Sequence, residues 1–279
     1  MSKASGGDYL TVSDGHQMFY RRLLPNRARG VCIILHGVGE HSGRYMHVLQ
    51  ALADVDLAVY APDHRGHGMS GSHRGDLESM DRVLRDIREL QSAAALAHPG
   101  LTCFVLAHSM GAIIGQLYLL RHQDDLAGCV LSGSPTGVPD RISPIAVSLV
   151  HLIARVAPRL PVQKVAPIGM GSRDPEVVAR SRVDPLCYNG PTMARTGLEM
   201  LSALEELDRR RSEITLPLLI LHGGDDRIIP VDSATKVANS VSSHDVTRII
   251  YPELFHEVFN EPEKEKVLKD TTDWIVRHL

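Results

Sequence analysis

Residues Cys103-Phe-Val-Leu-Ala-His-Ser-Met-Gly-Ala-Ile-Ile-Gly-Gln-Leu-Tyr-Leu-Leu120 decide the fold. The run from Thr102 to Leu106 is short and apolar, as a strand buried in a parallel sheet should be. Ile113 to Leu120 is apolar enough for a buried helix. Only Ala107-His108-Ser109-Met110-Gly111 separates the two. A strand that becomes a helix within about five residues brings backbone against backbone, so the residues flanking the turn must be small. Ala107 and Gly111 meet that need. Ser109 then takes the apex, with its hydroxyl lifted above the sheet edge near the N-terminus of the next helix.

The same alternation extends both ways. Upstream, Val31 to Leu35 is a continuous apolar run suited to a central parallel strand. A helix follows at about Arg44 to Asp54, then a strand at Leu57 to Ala61. Asp81 to Ala97 has helical periodicity through Val83, Leu84, Ile87, Leu90 and Ala94. Tyr9 to Val12 and Gln17 to Arg22 read as strands around the turn Ser13-Asp14-Gly15. Downstream, Ala127 to Leu131 is another strand. The pattern implies an open, mainly parallel sheet with helices on both faces. It lapses between Ser134 and Arg211, where no strand is expected. It resumes with a strand at Leu216 to Leu221, a helix at Val231 to Val241, a strand at Thr247 to Tyr251 and a helix at Glu263 to Leu279.

The chain therefore divides into a core, residues 1–133 and 212–279, and a helical insertion, residues 134–211. The insertion should lie over the carboxyl ends of the strands, where open α/β sheets bind ligands. One segment in it, Ile145 to Ala157, lies between Pro144 and Pro158, and its polar residues Ser148, His151 and Arg155 form one narrow stripe. Such a helix packs into a core or presents its apolar side to something greasy. It is too short to span a bilayer.

Bulk properties exclude several classes. With 279 residues and a formal net charge of -3, the chain has no basic block of the kind that binds nucleic acid. Its cysteines, Cys32, Cys103, Cys129 and Cys187, form no C-x-x-C pair and read as reduced, buried small hydrophobes. The residues Met1 to Asp8 lack the apolar core of a secretory signal. The expected location is the cytoplasm. Oligomeric state is not legible.

The turn at Ser109 is a nucleophile elbow with alanine in the first small position. A serine hydroxyl needs a base within hydrogen-bond reach, and the base needs an acid to hold its tautomer. In this type of sheet the order along the chain is serine, acid, histidine. The acid is expected in Gly223-Gly-Asp-Asp-Arg-Ile-Ile-Pro230, where Asp226 is preferred and Asp225 competes. The histidine is expected after the last strand, at His256. Two backbone N–H donors should face the developing oxyanion: Met110, next to the serine, and Val38, in the loop His36-Gly-Val-Gly39. His36, His41, His64 and His67 crowd two loops near the site, but no H-E-x-x-H spacing occurs, so no metal and no cofactor are expected.

With these residues in place, the sequence resembles the α/β-hydrolases of the monoacylglycerol lipase family, its bacterial and especially actinobacterial members above all. The resemblance rests on His36-Gly-Val-Gly-Glu-His-Ser-Gly-Arg-Tyr45, Asp63-His-Arg-Gly-His-Gly68 with Ser70, His108-Ser-Met-Gly111, Gly223-Gly-Asp-Asp-Arg227 and His256-Glu-Val-Phe-Asn-Glu-Pro262. Ser172-Arg-Asp-Pro-Glu176 and Asp184-Pro-Leu186 carry the bacterial likeness. It implies the α/β-hydrolase fold, a mainly parallel sheet of eight strands with a helical cap between two of them. It implies hydrolysis of monoacylglycerol, a lipid ester, to fatty acid and glycerol. Glu40 and Arg44 would then lie near the glycerol end, where a salt bridge that stiffens the loop is the other reading. The segment Ile145 to Ala157 would line an acyl tunnel or touch membrane peripherally. Two departures stand out: Ala107 and Ala112 replace the usual glycines, and Ser181 stands where tyrosine is common. The rival activities are a lysophospholipase or broad carboxylesterase with the same triad, and a ligand-binding receptor on a hydrolase scaffold.

Overall fold

The computed structural model describes residues 3–137, 153–164 and 169–279. Eight strands form one sheet: β1 (Lys3–Thr11), β2 (Gln17–Leu24), β3 (Gly30–Leu35), β4 (Leu57–Pro62), β5 (Thr102–His108), β6 (Gly128–Ser132), β9 (Leu218–Gly223) and β10 (Val246–Tyr251). Their spatial order is β1-β2-β4-β3-β5-β6-β9-β10. β1 and β2 run antiparallel; every pairing from β4 to β10 is parallel.

Burial explains why the central strands read as unbroken apolar runs. All six residues of β3 are buried, because alternate side chains enter two different cores. Ile33, Leu35, Val105, Ala107, Leu131 and Ile220 face one core, with α2 (Met80–Ala97), α3 (Met110–His122) and α6 (Asp232–Ser240) packed over them. Cys32, Ile34, Phe104, Leu106, Val130 and Leu219 face the other, under α1 (Met46–Asp54) and α7 (Lys264–Arg277). Each fully buried aliphatic side chain contributes about 1.5–3 kcal/mol. The largest anchor is Trp274 of α7, 1% exposed and edge-on to Phe104.

The chain leaves the sheet after β6 and returns at β9, its neighbour. Between them lie α4 (Pro175–Val183), α5 (Ala194–Arg210) and a two-stranded ribbon, β7 (Pro161–Lys164) with β8 (Pro191–Met193). This ribbon departs from the expectation of no strand between Ser134 and Arg211. Its strands are only three and four residues long and each begins with proline, so they carry no period-2 signal. A second departure concerns the boundary. Ala203, Leu204 and Leu207 of α5 join the α3 side of the core. A parallel β6-to-β9 connection needs a crossover helix, and α5 supplies it. The segment Ile145 to Ala157 lies largely outside the described residues; within its described end, Val156 is 73% exposed. No helix among the described residues is long and apolar enough to cross a membrane.

Candidate active site

Ser109 stands between β5 and α3 with φ 54° and ψ -117°. A non-glycine residue at such φ costs of order 1–3 kcal/mol and persists only where neighbours enforce it. Its N–H donates to Ser132 O of β6 at 2.9 Å, and its carbonyl accepts from Ala112 and Ile113. Packing leaves no alternative path. A Cβ on Gly111 would lie 2.2 Å from Leu35 O, and one on Gly115 would lie 2.9 Å from Ala107 Cβ. The small residues let α3 press against β3 and β5, and Ser109 is the point where the chain must fold back.

Two other loops converge on the serine. His256 Nε2 lies 2.9 Å from Ser109 Oγ, and His256 Nδ1 lies 2.7 Å from Asp226 Oδ2. The ionised carboxylate can only accept, so Nδ1 carries the proton and Nε2 is left to accept from the hydroxyl. Asp226 Oδ1 accepts from the N–H groups of Ile228 and Ile229 at 2.8 and 2.9 Å. Burial alone would raise the pKa of Asp226. Hydrogen bonds from His222 and His256 outweigh it and hold the carboxyl well below the usual range. Asp225, the competing acid, is exposed. Gly223 and Gly224 let the acid loop approach the histidine loop, since a Cβ on either would lie 2.1 Å from Phe255 O or 2.4 Å from Pro252 O.

The loop after β3 closes the third side. A Cβ on Gly37 would sit 3.2 Å from Ser109 Cβ, so this backbone passes directly over the serine. Among the described residues, the N–H groups of Val38 and Met110 donate to no protein acceptor. Glu40 fixes the loop from behind: Oε2 accepts from Gly37 N–H and from Tyr45 O–H, each at 2.8 Å. Arg44 forms a close ion pair with Glu40 and donates to Glu257 Oε2 at 2.6 Å. Burial would lower the pKa of Arg44, but Glu40 and Glu257 raise it above the ordinary value. Glu40 and Arg44 are thus engaged by protein partners.

Burial disfavours a charge on the surrounding histidines His36, His64, His67 and His108. His108 is pushed down to about 3 by burial and by His256, whose ring centroid is 4.8 Å away. His36 Nε2 accepts from His64 N–H at 3.0 Å and its Nδ1 donates to Gly37 O at 2.8 Å, so both nitrogens serve the loop. His41, Asp184 and Cys187 place donor atoms within 4.8 Å of one another. Yet His41 Nδ1 accepts from Gly43 N–H, which leaves the proton on Nε2, aimed at Asp184 Oδ2 at 2.9 Å. That ring offers no lone pair to an ion.

Two residues escaped sequence reasoning. Glu257 is visible only as the neighbour of His256, and nothing in the sequence joins it to Arg44. His222 follows the apolar run of β9, one residue before that strand ends, and a polar side chain at a position this buried was the available signal.

Comparison with known proteins bears on what this arrangement does. The model of the family described as serine aminopeptidase, S33, matches residues 26–263. The chain is 41% identical over 251 residues to the monoacylglycerol lipase of Mycolicibacterium smegmatis, covering 90% of this chain and 89% of that protein. It is 30% identical over 278 residues to the monoglyceride lipase of Homo sapiens, covering 96% and 89%. The crystal structure of the Paleococcus ferrophilus monoacylglycerol lipase superposes with a TM-score of 0.85 at 26% identity, covering 94% of this chain and 99% of that one.

Proposed function

The chain belongs to the serine aminopeptidase S33 family of α/β-hydrolases and to the monoacylglycerol lipases within it, and on that footing we propose that it cleaves monoacylglycerols to fatty acid and glycerol through an acyl-enzyme on Ser109. The observation that carries this reading is the unbroken relay Ser109 Oγ, His256 Nε2, His256 Nδ1, Asp226 Oδ2, with steps of 2.9 and 2.7 Å. Ser109 Oγ attacks the ester carbonyl as its proton passes to His256 Nε2. The N–H groups of Val38 and Met110 receive the oxyanion. The imidazolium, held by Asp226, protonates the departing glycerol oxygen. His256 then takes a proton from water, which attacks the acyl-enzyme and frees the fatty acid. We assign Glu40 and Arg44 to holding the oxyanion loop against the His256 loop, with glycerol contact made from that fixed position.

The described part of the insertion, residues 134–137, 153–164 and 169–193, serves in this reading as the cap over the acyl chain. Val156, Leu160 and Val183 are 73%, 47% and 80% exposed, and they support peripheral contact of this part with lipid aggregates. Hydrolysis of a chain-length series of monoacylglycerols, beside di- and triacylglycerols and lysophospholipids, tests the assignment. Ser109→Ala should lose roughly 10⁴–10⁶ in kcat. Equal turnover of lysophospholipids would keep the triad and move the activity to a broader lipase. Wild-type rates from Ser109→Ala would remove Ser109 from the mechanism.

A further inference from the structure

Asp226 serves two histidines. Its Oδ2 faces His256 Nδ1 at 2.7 Å and His222 Nε2 at 3.2 Å. The side chains of His222 and Asp226 are both 0% exposed. His222 Nε2 also lies 3.1 Å from Ile229 O. Both neighbours are acceptors, so Nε2 carries the proton; its hydrogen bond is to Ile229 O, and Asp226 Oδ2 lies beside it at 3.2 Å. His222 Nδ1 is then a bare lone pair, and it is buried with no hydrogen-bond partner. A buried acceptor without a partner destabilises the fold.

That combination is informative. His222 lies in β9, where Leu219, Ile220 and Leu221 are each 0% exposed. An aliphatic residue there would leave no orphaned nitrogen, while removing the donor to Ile229 O. The imidazole supplies an N–H that an aliphatic residue cannot: it bonds Ile229 O and lies 3.2 Å from Oδ2 of the acid. Without it, Oδ2 would be held by His256 alone, and only Oδ1 is tethered to backbone, through Ile228 and Ile229. Rotation about the Cβ–carboxyl bond would then be opposed at Oδ2 by His256 alone.

We propose that His222 is a positioning residue which makes the triad a linear tetrad, its Nε2–H holding Asp226 Oδ2 on the line to His256 Nδ1. The inference rests on the triad reading above.

The test uses the full chain with a soluble short-chain monoacylglycerol. Rates are counted per serine titrated to completion with an organophosphonate, so misfolded protein drops out. His222→Leu should lose about 10-fold to 100-fold in kcat, the usual cost of removing a group that orients another, with KM little changed. His222→Gln, whose amide N–H can reach the same oxygen, should recover most of the loss. Wild-type kcat in His222→Leu overturns the tetrad, and so does failure of the glutamine to improve on leucine or a loss expressed in KM. Ser109→Ala is run alongside. If it alone is inactive while both His222 variants are normal, only the tetrad fails; if it is active, the triad reading fails as well.

Discussion

Arg44 Nη2 lies 2.6 Å from Glu257 Oε2, and this contact joins two loops that the chain keeps far apart. Arg44 belongs to the loop that carries Val38; Glu257 follows His256. Glu40 completes the bridge, and Asn260 Nδ2 donates to Glu257 Oε2 at 2.9 Å. The Val38 loop and the His256 loop are thus held at a set separation by charge rather than by apolar packing.

The bridge predicts an asymmetry between its members. Arg44→Met removes the cation between buried Glu40 and half-buried Glu257 and should destabilise by about 3–5 kcal/mol. Glu257→Gln leaves Arg44 paired with Glu40 and should cost less than half of that. Urea unfolding followed by circular dichroism measures both; equal losses would show that Arg44 does not bridge.

The choice between adjacent acids is testable by rate. Asp226→Asn should lower kcat by about 10⁴-fold, the effect of giving a triad histidine the wrong tautomer. Asp225→Ala, at an exposed side chain, should stay within about twofold. A reversed ranking would transfer the acid to Asp225.

Gly223→Ala drives a Cβ to 2.1 Å from Phe255 O, a backbone atom that cannot step aside. The acid and histidine loops must separate, so stability should fall by about 3 kcal/mol or more, and esterase rate with it. Gly6→Ala meets nothing within 4 Å and should be neutral. A thermal melt of both, with rates at a temperature where each is folded, checks the contrast.

Acid should unfold the protein in a window set by histidines. Burial pushes His67 down to about 4 and His108 down to about 3, and lowers His36 and His64. Each is neutral when folded and takes a proton more readily when unfolded. The stability they confer is therefore fully present above pH 6.5 and is lost as pH falls toward 4. Asp226, held low by its partners, adds its own loss as pH falls through and below the usual carboxylate range. Unfolding free energy by urea should drop by several kcal/mol between pH 7 and pH 4.5, and His67→Asn should flatten part of that slope. A level profile over the same interval would mean that these rings charge without opening the fold.

Much of this was legible in the chain. The parallel strands carry unbroken apolar runs because both faces are covered, and helix periodicity survives wherever one face meets solvent, as in α2. The serine, acid and histidine sit in loops whose positions follow from strand order. What could not be read depends on contacts between distant segments. Arg44 meeting Glu257, the β7–β8 ribbon and the packing of α5 on α3 leave no local periodicity. His222 was visible as a polar residue near the end of a buried strand, but its partner appears only when the loop after β9 folds back over it.

The crossover helix α5 has a consequence for how such a molecule can change over generations. Because β6 enters the insert and α5 leaves it, both attachment points belong to the core and stay fixed whatever lies between them. Among the described residues the insert docks on the core through polar sockets: Gly39 O receives Tyr188 N–H, His41 meets Asp184, Arg74 donates to Leu186 O, and Arg173 pairs with Glu261. A cassette that keeps those plugs can be lengthened, trimmed or exchanged by recombination while the relay beneath it stays intact. Novelty in substrate range would then arise in one replaceable piece, and the chemistry would be inherited whole.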